Sequence, residues 1–456
     1  MSTRGNLLKN ATGYAAAYGT ADITTSKMRA AIAQWFELYY RNERTDEEDP
    51  CQQIPYTIIR KLTKTTFSEY SATSQDDFAE RVLDELADVC EPALQLALIG
   101  GESLLKPIPL QDKKGFVFAV VPRDNLLVFA RDARGNMTDI GTMEVTSSGN
   151  CYYTLLERRS VDAQGFLTIR YKLFKSFAKD SLGQQVPLRT LGQYVDLQEE
   201  YTFPKPVGSI GLVQVKTPMV NCVDGSADGV SVYAAATGLI RNIDRNEAQL
   251  NGEFDRGESR IIVSADMLAR NGEGKLQLND KLFVGLDEDA ETTGITIFNP
   301  TLREASFLAR KQEYLRNIEN IIGLKRGLLS EVEAAERTAT EITSSAGEYN
   351  LTIMDFQKMW ENAVREVLIL CGQLGQMYKL EDAHDVADDA VVFTWGNGVL
   401  YDEAKTYAEM KEQVSMGLLQ PERLVGWYYN LPCDTPQERE KIRTDYMPEA
   451  VEEGIL

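Results

Sequence analysis

His384 is the only imidazole in 456 residues, and it sits in the acidic run Glu381-Asp-Ala-His-Asp385. A Ser-His-Asp or Cys-His arrangement needs a histidine base held by a rigid frame. A polar loop offers no such frame, so His384 reads as an exposed loop residue, with a metal site there as the alternative. Six cysteines (Cys51, Cys90, Cys151, Cys222, Cys371, Cys433) lie far apart without CxxC or other ligand spacing and read as free thiols. The acids Glu47-Glu48, Asp287-Glu288-Asp289 and Asp388-Asp389 fall among polar neighbours. Hydrolytic carboxylates must be fixed at a defined separation on rigid elements, whereas solvated loop acids need no frame. Gly323 and Gly327 bracket Leu-Lys-Arg, but no GxxxxGK(S/T) or GxGxxG follows a strand. They read as a mobile loop, since glycine reaches positive φ cheaply. No catalytic residue, cofactor or metal is expected.

Lys+Arg 48 against Asp+Glu 69 gives 48 − 69 = −21. Phosphate binding needs cations that displace counterions, so the free chain is not expected to hold nucleic acid tightly. The cations are uneven, however. Arg303, Arg310, Lys311, Arg316, Lys325 and Arg326 face only Glu304, Glu313 and Glu319, a local surplus of 6 − 3 = 3. A solvated face or pairs with acids explains them; weak phosphate contact by Lys311, Arg316, Lys325 and Arg326 is the sharper reading.

A chain this long exceeds one ordinary core, so several regions are expected. Residues 1–25 are small and polar and read as a mobile arm. From Ser26, the spacing of Met28, Ile32, Trp35, Phe36 and Tyr39 predicts an amphipathic helix. A charged loop (41–50) and helices over 54–65 and 76–98 complete a helical part, 26–110. Pro92 should kink or split the last helix. The period then becomes alternating at Phe116–Val121, Leu126–Phe129, Met143–Val145, Tyr152–Leu156 and Leu167–Leu173. The last two flank the turn signal Asp162-Ala-Gln-Gly165. Residues 111–229 are therefore an antiparallel β-part, with a Pro- and Gly-marked loop at 204–208.

A helix over about 232–254 (region 230–257) carries Val232, Ala236, Leu239, Ile243, Leu250 and Phe254 on one stripe and Arg241, Asp244, Arg245 and Asp255 opposite. It breaks at Gly257. Region 258–300 holds short strands at Ile261–Val263, Lys275–Leu278, Phe283-Val284 and Ile295–Phe298. A second helix (301–322) repeats Ala305, Leu308, Leu315, Ile318 and Ile322 near heptad spacing. A loop (323–333) leads to a long helix (334–380) with Ile342, Tyr349, Ile353, Phe356, Trp360, Val364, Val367 and Leu374 on its stripe. Segment 381–456 adds a strand at Val391–Trp395, helices near 402–414 and 421–429, and a charged tail. Such stripes usually face the chain's own core. Two helices joined by a small β-module cannot cover both their faces, though, so Leu239, Ile243, Leu250, Phe254, Leu308, Leu315 and Ile322 read as a seam between subunits. No apolar run approaches the ~20 residues that span a bilayer, and no signal peptide is evident; a soluble, cytoplasmically made protein is expected.

This order of parts resembles the portal proteins of tailed bacteriophages. Arg337-Thr-Ala-Thr-Glu-Ile342 is similar to the Thr-Ala-Thr-Glu segment that opens their long wing helix. Leu98-Ile-Gly-Gly-Glu-Ser-Leu-Leu-Lys-Pro107 before a β-region resembles portals of siphophages infecting Gram-positive hosts. So do Val391-Val-Phe, Tyr401-Asp-Glu-Ala and Val414-Ser-Met-Gly-Leu-Leu-Gln-Pro-Glu near the end. The resemblance implies an α+β subunit with a wing, a two-helix stem, a small β-rich clip at 258–300, a tunnel loop from Gly323, a long wing helix and a small C-terminal helical crown. It further implies a ring of roughly twelve copies at one capsid vertex of the virion, through which double-stranded DNA passes. Terminase large subunit, a head-completion or adaptor protein, and major capsid and scaffold proteins would be its partners, with no membrane. An adaptor or minor capsid component and a lytic or processing enzyme are the alternatives.

Overall fold

In the computed structural model, which describes residues 2–3, 11–41, 50–179, 181–257, 260–263, 268–270, 276–278, 295–298, 301–331, 339–395, 403–429, 431–433 and 435–447, the N-terminal residues are tied down. Strand β1 (Ser2–Thr3) pairs with a strand of the main sheet at Thr146 and Val145. Helix α1 (Ala11–Tyr18) buries Ala11, Tyr14, Ala15 and Tyr18 against Leu127, Phe129, Met143 and Leu156. Tyr14 and Tyr18 lie one turn apart and give this short helix an apolar face. The mobile arm expected over 1–25 is thus anchored at both described places.

Helix α2 (Ser26–Tyr40) is capped by Thr25, whose hydroxyl accepts from the Met28 N–H, and it buries Met28, Ile32, Trp35 and Phe36 as the spacing predicts. Helix α3 (Ile54–Thr66) and strand β2 (Ser71–Ser74) follow. The expected 76–98 helix is two, α4 (Asp77–Ala87) and α5 (Cys90–Gly100). The split precedes Pro92, which lies in the first turn of α5, where its missing N–H costs nothing. Gly101 ends α5 at φ 88°, and a Cβ there would meet the Gly229 backbone at 2.2 Å, so two glycines let distant chain segments touch.

Strands β3 (Glu102–Pro109) and β4 (Phe116–Pro122) pair antiparallel. β3 falls within the part expected to be helical: Lys106, Pro107 and Pro109 hide its pattern, and its first residues are buried on both faces rather than alternately. Strands β5 (Leu126–Arg131), β6 (Met137–Ser148), β7 (Cys151–Val161), β8 (Leu167–Ser176), β9 (Gln184–Val186) and β10 (Glu200–Thr202) build a seven-stranded sheet with β1, in the order β1-β6-β7-β8-β10. β5 also pairs β6 and β9 pairs β8. The turn between β7 and β8 closes through the Gly165 N–H to the Asp162 carbonyl at 3.0 Å. Strand β11 (Val213–Lys216) joins β3 to finish a three-stranded sheet. Between the sheets, Arg123, fully buried, meets Glu102 at 2.7 Å and Asp228 at 3.3 Å, while Arg131 meets Asp228 at 2.6 Å. Buried charges persist only when paired in this way.

Helix α6 (Thr237–Arg256) leads to strands β12 (Arg260–Val263), β13 (Leu268–Arg270), β14 (Leu276–Leu278) and β15 (Ile295–Phe298). β12 pairs β15 and β13 pairs β14, both antiparallel. Helix α7 (Glu304–Ile322) returns, and α8 (Ala339–Tyr378) is the long helix. Its Tyr349, Ile353, Phe356, Trp360, Val364, Val367 and Leu374 are buried as expected. Strand β16 (Val391–Thr394) pairs β2, so a strand at the end of the first compact unit, residues 1–394, closes on its start. The second unit, 395–456, holds α9 (Glu403–Ser415), α10 (Pro421–Tyr428) and α11 (Pro436–Tyr446). The charged sequence of α11 hid it; Thr435 and Glu438 form its capping box. The expected loop 42–49, the strand Phe283-Val284, the acids Asp287–Asp289, the side chain of Ile342 and the last residues from 448 lie outside the described residues. Among the described residues, no helix is long and apolar enough to cross a membrane.

Candidate functional site at the helical hairpin

Gly257 ends α6 with its N–H on the Glu253 carbonyl at 2.8 Å, and the β12–β15 ladder, Arg260 opposite Phe298, turns the chain back into α7. The two helices are cross-linked by polar rungs. Arg303 clasps both oxygens of Glu253 at 2.9 and 2.7 Å, and this guanidinium holds the Glu253 carboxyl below its usual range. The Asn246 amide donates to the Phe307 carbonyl at 3.1 Å. Lys311 donates to Glu247 at 2.9 Å and to the Gln52 side chain at 3.1 Å.

Burial divides the seam residues expected from sequence. Ile243, Leu250, Leu315 and Ile322 are buried within the chain's own fold, together with Ile240 and Ile318, and so are withdrawn from any surface a neighbour could meet. The hairpin's inner stripe is an ordinary core because α6 and α7 cover each other's facing turns. Leu239 is half-buried, whereas Phe254 (43% exposed) and Leu308 (45%) remain open. Asp244, expected opposite the apolar stripe, is buried, and its carboxylate accepts the Gln52 N–H at 2.8 Å.

The basic candidates divide too. Lys311 is engaged by Glu247 and Gln52, and Arg316 is half-buried on α7. Lys325 and Arg326 are exposed, on a turn closed by the Leu328 N–H to the Lys325 carbonyl at 3.0 Å, with Gly327 at φ 86°. That loop is braced along its described residues, 323–331, against the mobile character expected of it. Gly323 caps α7 at φ 76°, and the Leu324 N–H returns to the Glu319 carbonyl at 2.8 Å. The Glu319 carboxylate, 0% exposed, accepts from the N–H groups of Gly327 (3.2 Å), Leu329 (2.5 Å) and Ser330 (2.9 Å) and from the Ser330 hydroxyl (2.7 Å). Lys61 of α3 donates to the Leu328 carbonyl. From sequence Glu319 counts only as one of three acids set against six cations. The signal was present: 315, 318, 319 and 322 are one helical stripe, and an acid on it is a buried acid.

Elsewhere the ionisable groups are bound in the frame. A groove of about 500 Å³, lined by Tyr40, Ile108, Val120 and Met143 among others, has Lys106 and Glu157 in its wall. Burial alone would raise the Glu157 carboxyl, but Arg159 and Lys106 overcome it and lower it to about 2. His384 places Nδ1 2.7 Å from the Asp382 carbonyl and Nε2 2.5 Å from the Asp76 carboxylate. Both ring nitrogens face acceptors, an arrangement of the imidazolium, and its pKa is raised by the Asp382 carbonyl and by Asp76. Among the described residues no group of three or more His, Cys, Asp or Glu could hold a metal ion.

The α6/α7 pair thus covers its inner stripe, leaves Phe254 and Leu308 open and carries strands at its turn. The chain belongs to the phage portal proteins: the family described as phage portal protein, SPP1 Gp6-like, matches residues 117–444. Membership in a portal family sets aside the adaptor reading, and because that family is structural and not enzymatic the lytic-enzyme reading goes with it. No protein of curated function matches the sequence. Similar solved structures include a chain in the neck of a native GTA particle computed with C12 symmetry (TM-score 0.44, 11% identity, 92% of this chain and 98% of that chain). Others are in the virion of a native gene transfer agent particle (0.44, 10%, 92% and 98%) and the neck of an empty GTA particle computed with C6 symmetry (0.44, 12%, 92% and 98%).

Proposed function

We propose that copies of this chain, about twelve in number, close into a ring at one vertex of a phage capsid. DNA enters through the ring during packaging and leaves through it at ejection. The observation that carries this reading is the family match over 117–444, which spans the hairpin and its strand-tipped end. In this reading α6 and α7 are the stem, the strands between them are the clip, and residues 323–333 are the tunnel loop. The clip docks the terminase large subunit and later the head-completion or adaptor protein; the wing meets major capsid and scaffold proteins. The ATP chemistry belongs to the terminase.

Net charge of −21 suits a duct that must not hold its cargo: an acidic wall repels phosphates and keeps the duplex sliding. Lys325 and Arg326, exposed on their turn, are the transient phosphate contacts in this reading. Electron microscopy of the purified assembly tests the ring: particles with a central hole and rotational symmetry are expected, and a monodisperse monomer overturns the proposal. The double substitution K325A/R326A tests the contact, with reduced DNA retention in packaged heads as the expected result.

A further inference from the structure

We propose that Glu319 is a positioning residue for DNA passage: its buried carboxylate latches residues 327–330 and so fixes the turn on which Lys325 and Arg326 stand. The inference rests on the reading of those two cations as channel contacts. A carboxylate offers about four acceptor sites, and four donors of this loop occupy them. These are charge-assisted bonds in a site closed to water, where each is stronger than its neutral counterpart. Oε1 takes the Leu329 and Ser330 N–H groups, and Oε2 takes the Gly327 N–H and the Ser330 hydroxyl. Gly327 is the third residue of the turn that begins at Lys325, so one oxygen holds the turn itself and the other its exit. Glu319 also lies on α7, between Leu315 and Ile322 of the buried stripe, so the latch is mounted on the rigid half of the hairpin. A basic turn held in this way presents its two charges at one height in every copy of a ring.

Glu319→Gln tests the latch, because it keeps the volume and turns one acceptor oxygen into a donor facing the Gly327 N–H. Ser330→Ala removes a single donor and leaves the carboxylate. Trypsin needs the turn opened to seat Lys325 or Arg326, so the appearance of those two chain ends, followed by mass spectrometry on the dissociated full-length chain, reports the latch directly. Cleavage there should rise roughly tenfold or more in Glu319→Gln and less in Ser330→Ala. DNA retention by packaged heads should then fall as it does in K325A/R326A. Unchanged cleavage in both variants overturns the latch. Raised cleavage with normal retention, while K325A/R326A loses DNA, overturns the positioning role. If K325A/R326A retains DNA normally, the channel reading itself fails and takes the positioning role with it, and the trypsin result tells that failure from a missing latch. Should Glu319→Gln not assemble, Ser330→Ala carries both measurements.

Discussion

The proximal half of the α6/α7 hairpin buries Ile240, Ile243, Leu250, Leu315, Ile318 and Ile322, while in the distal half, residues 251–257 and 304–314, no residue is buried. The sequence pattern does not change between the two. Leu308, Leu315 and Ile322 follow one another at intervals of seven, yet Leu308 is 45% exposed and Leu315 is 6% exposed. Periodicity determines which face of a helix is apolar; it does not say which chain covers that face. The distal half is cross-linked by the exposed Arg303–Glu253 clasp; the proximal half is held by packed hydrocarbon, and its buried carboxylates, Asp244 and Glu319, tie it to Gln52 and to the loop 327–330. One half belongs to the chain's own stability and the other is available to a neighbour.

The largest test of that division is a pair of truncations. Ile318→Ala removes a fully buried side chain and should cost about 2–5 kcal/mol in urea unfolding of the dissociated chain. Leu308→Ala should cost under about 1 kcal/mol in the same measurement. Equal losses would erase the distinction between the halves.

The converse experiment reads assembly. Phe254→Ala and Leu308→Ala should leave the melting of the single chain nearly unchanged and weaken subunit association by roughly tenfold each, as expected for a half-exposed apolar side chain that a neighbour covers. Sedimentation velocity across a concentration series checks this. Normal ring formation in the double variant would mean that the open residues of the tip are simply solvated.

Much of the frame was legible from residue spacing. Met28, Ile32, Trp35 and Phe36 gave α2, and the Asp162–Gly165 turn gave the β7–β8 hairpin, because in both the side chains that pack are the ones that repeat. β3 escaped since both its faces are buried over Glu102–Leu105 and its prolines and lysine obscure the run. α1 escaped because two tyrosines among alanines make too short a pattern. The loop site was read from sequence only in its cations. Lys325 and Arg326 announce themselves by charge and Glu319 by its place on a buried stripe, but Asp244 and Gln52 act through three-dimensional neighbours that sequence order does not bring together.

A smaller effect is expected where the two halves meet. Lys311 and Glu247 are each about a quarter exposed, so their bond is screened by solvent and is worth about 1 kcal/mol at most. Lys311→Glu should destabilise the chain by about that amount, and the exchange Lys311→Glu with Glu247→Lys should recover most of it in a double-mutant cycle. A full Ile318-sized loss from Lys311→Glu would place this rung in the packed half.

The smallest effect lies at the tip and carries a definite pH sign. Arg303, through its hydrogen bonds and its charge, lowers the folded-state pKa of Glu253 below 4.5, so the pair's stabilisation is present above about pH 4.5 and is lost as pH falls through the depressed value. Arg303 stays charged throughout that window, since the same carboxylate raises its own, already strongly basic, pKa further. Thermal midpoints of the native chain and of Glu253→Gln should therefore coincide in strong acid and separate by only about 1 °C near pH 7. A separation that grows toward acid would have the wrong sign for a depressed carboxyl. One of several degrees at neutral pH would show that the clasp is shielded from water, and the tip would then resemble the base it is contrasted with.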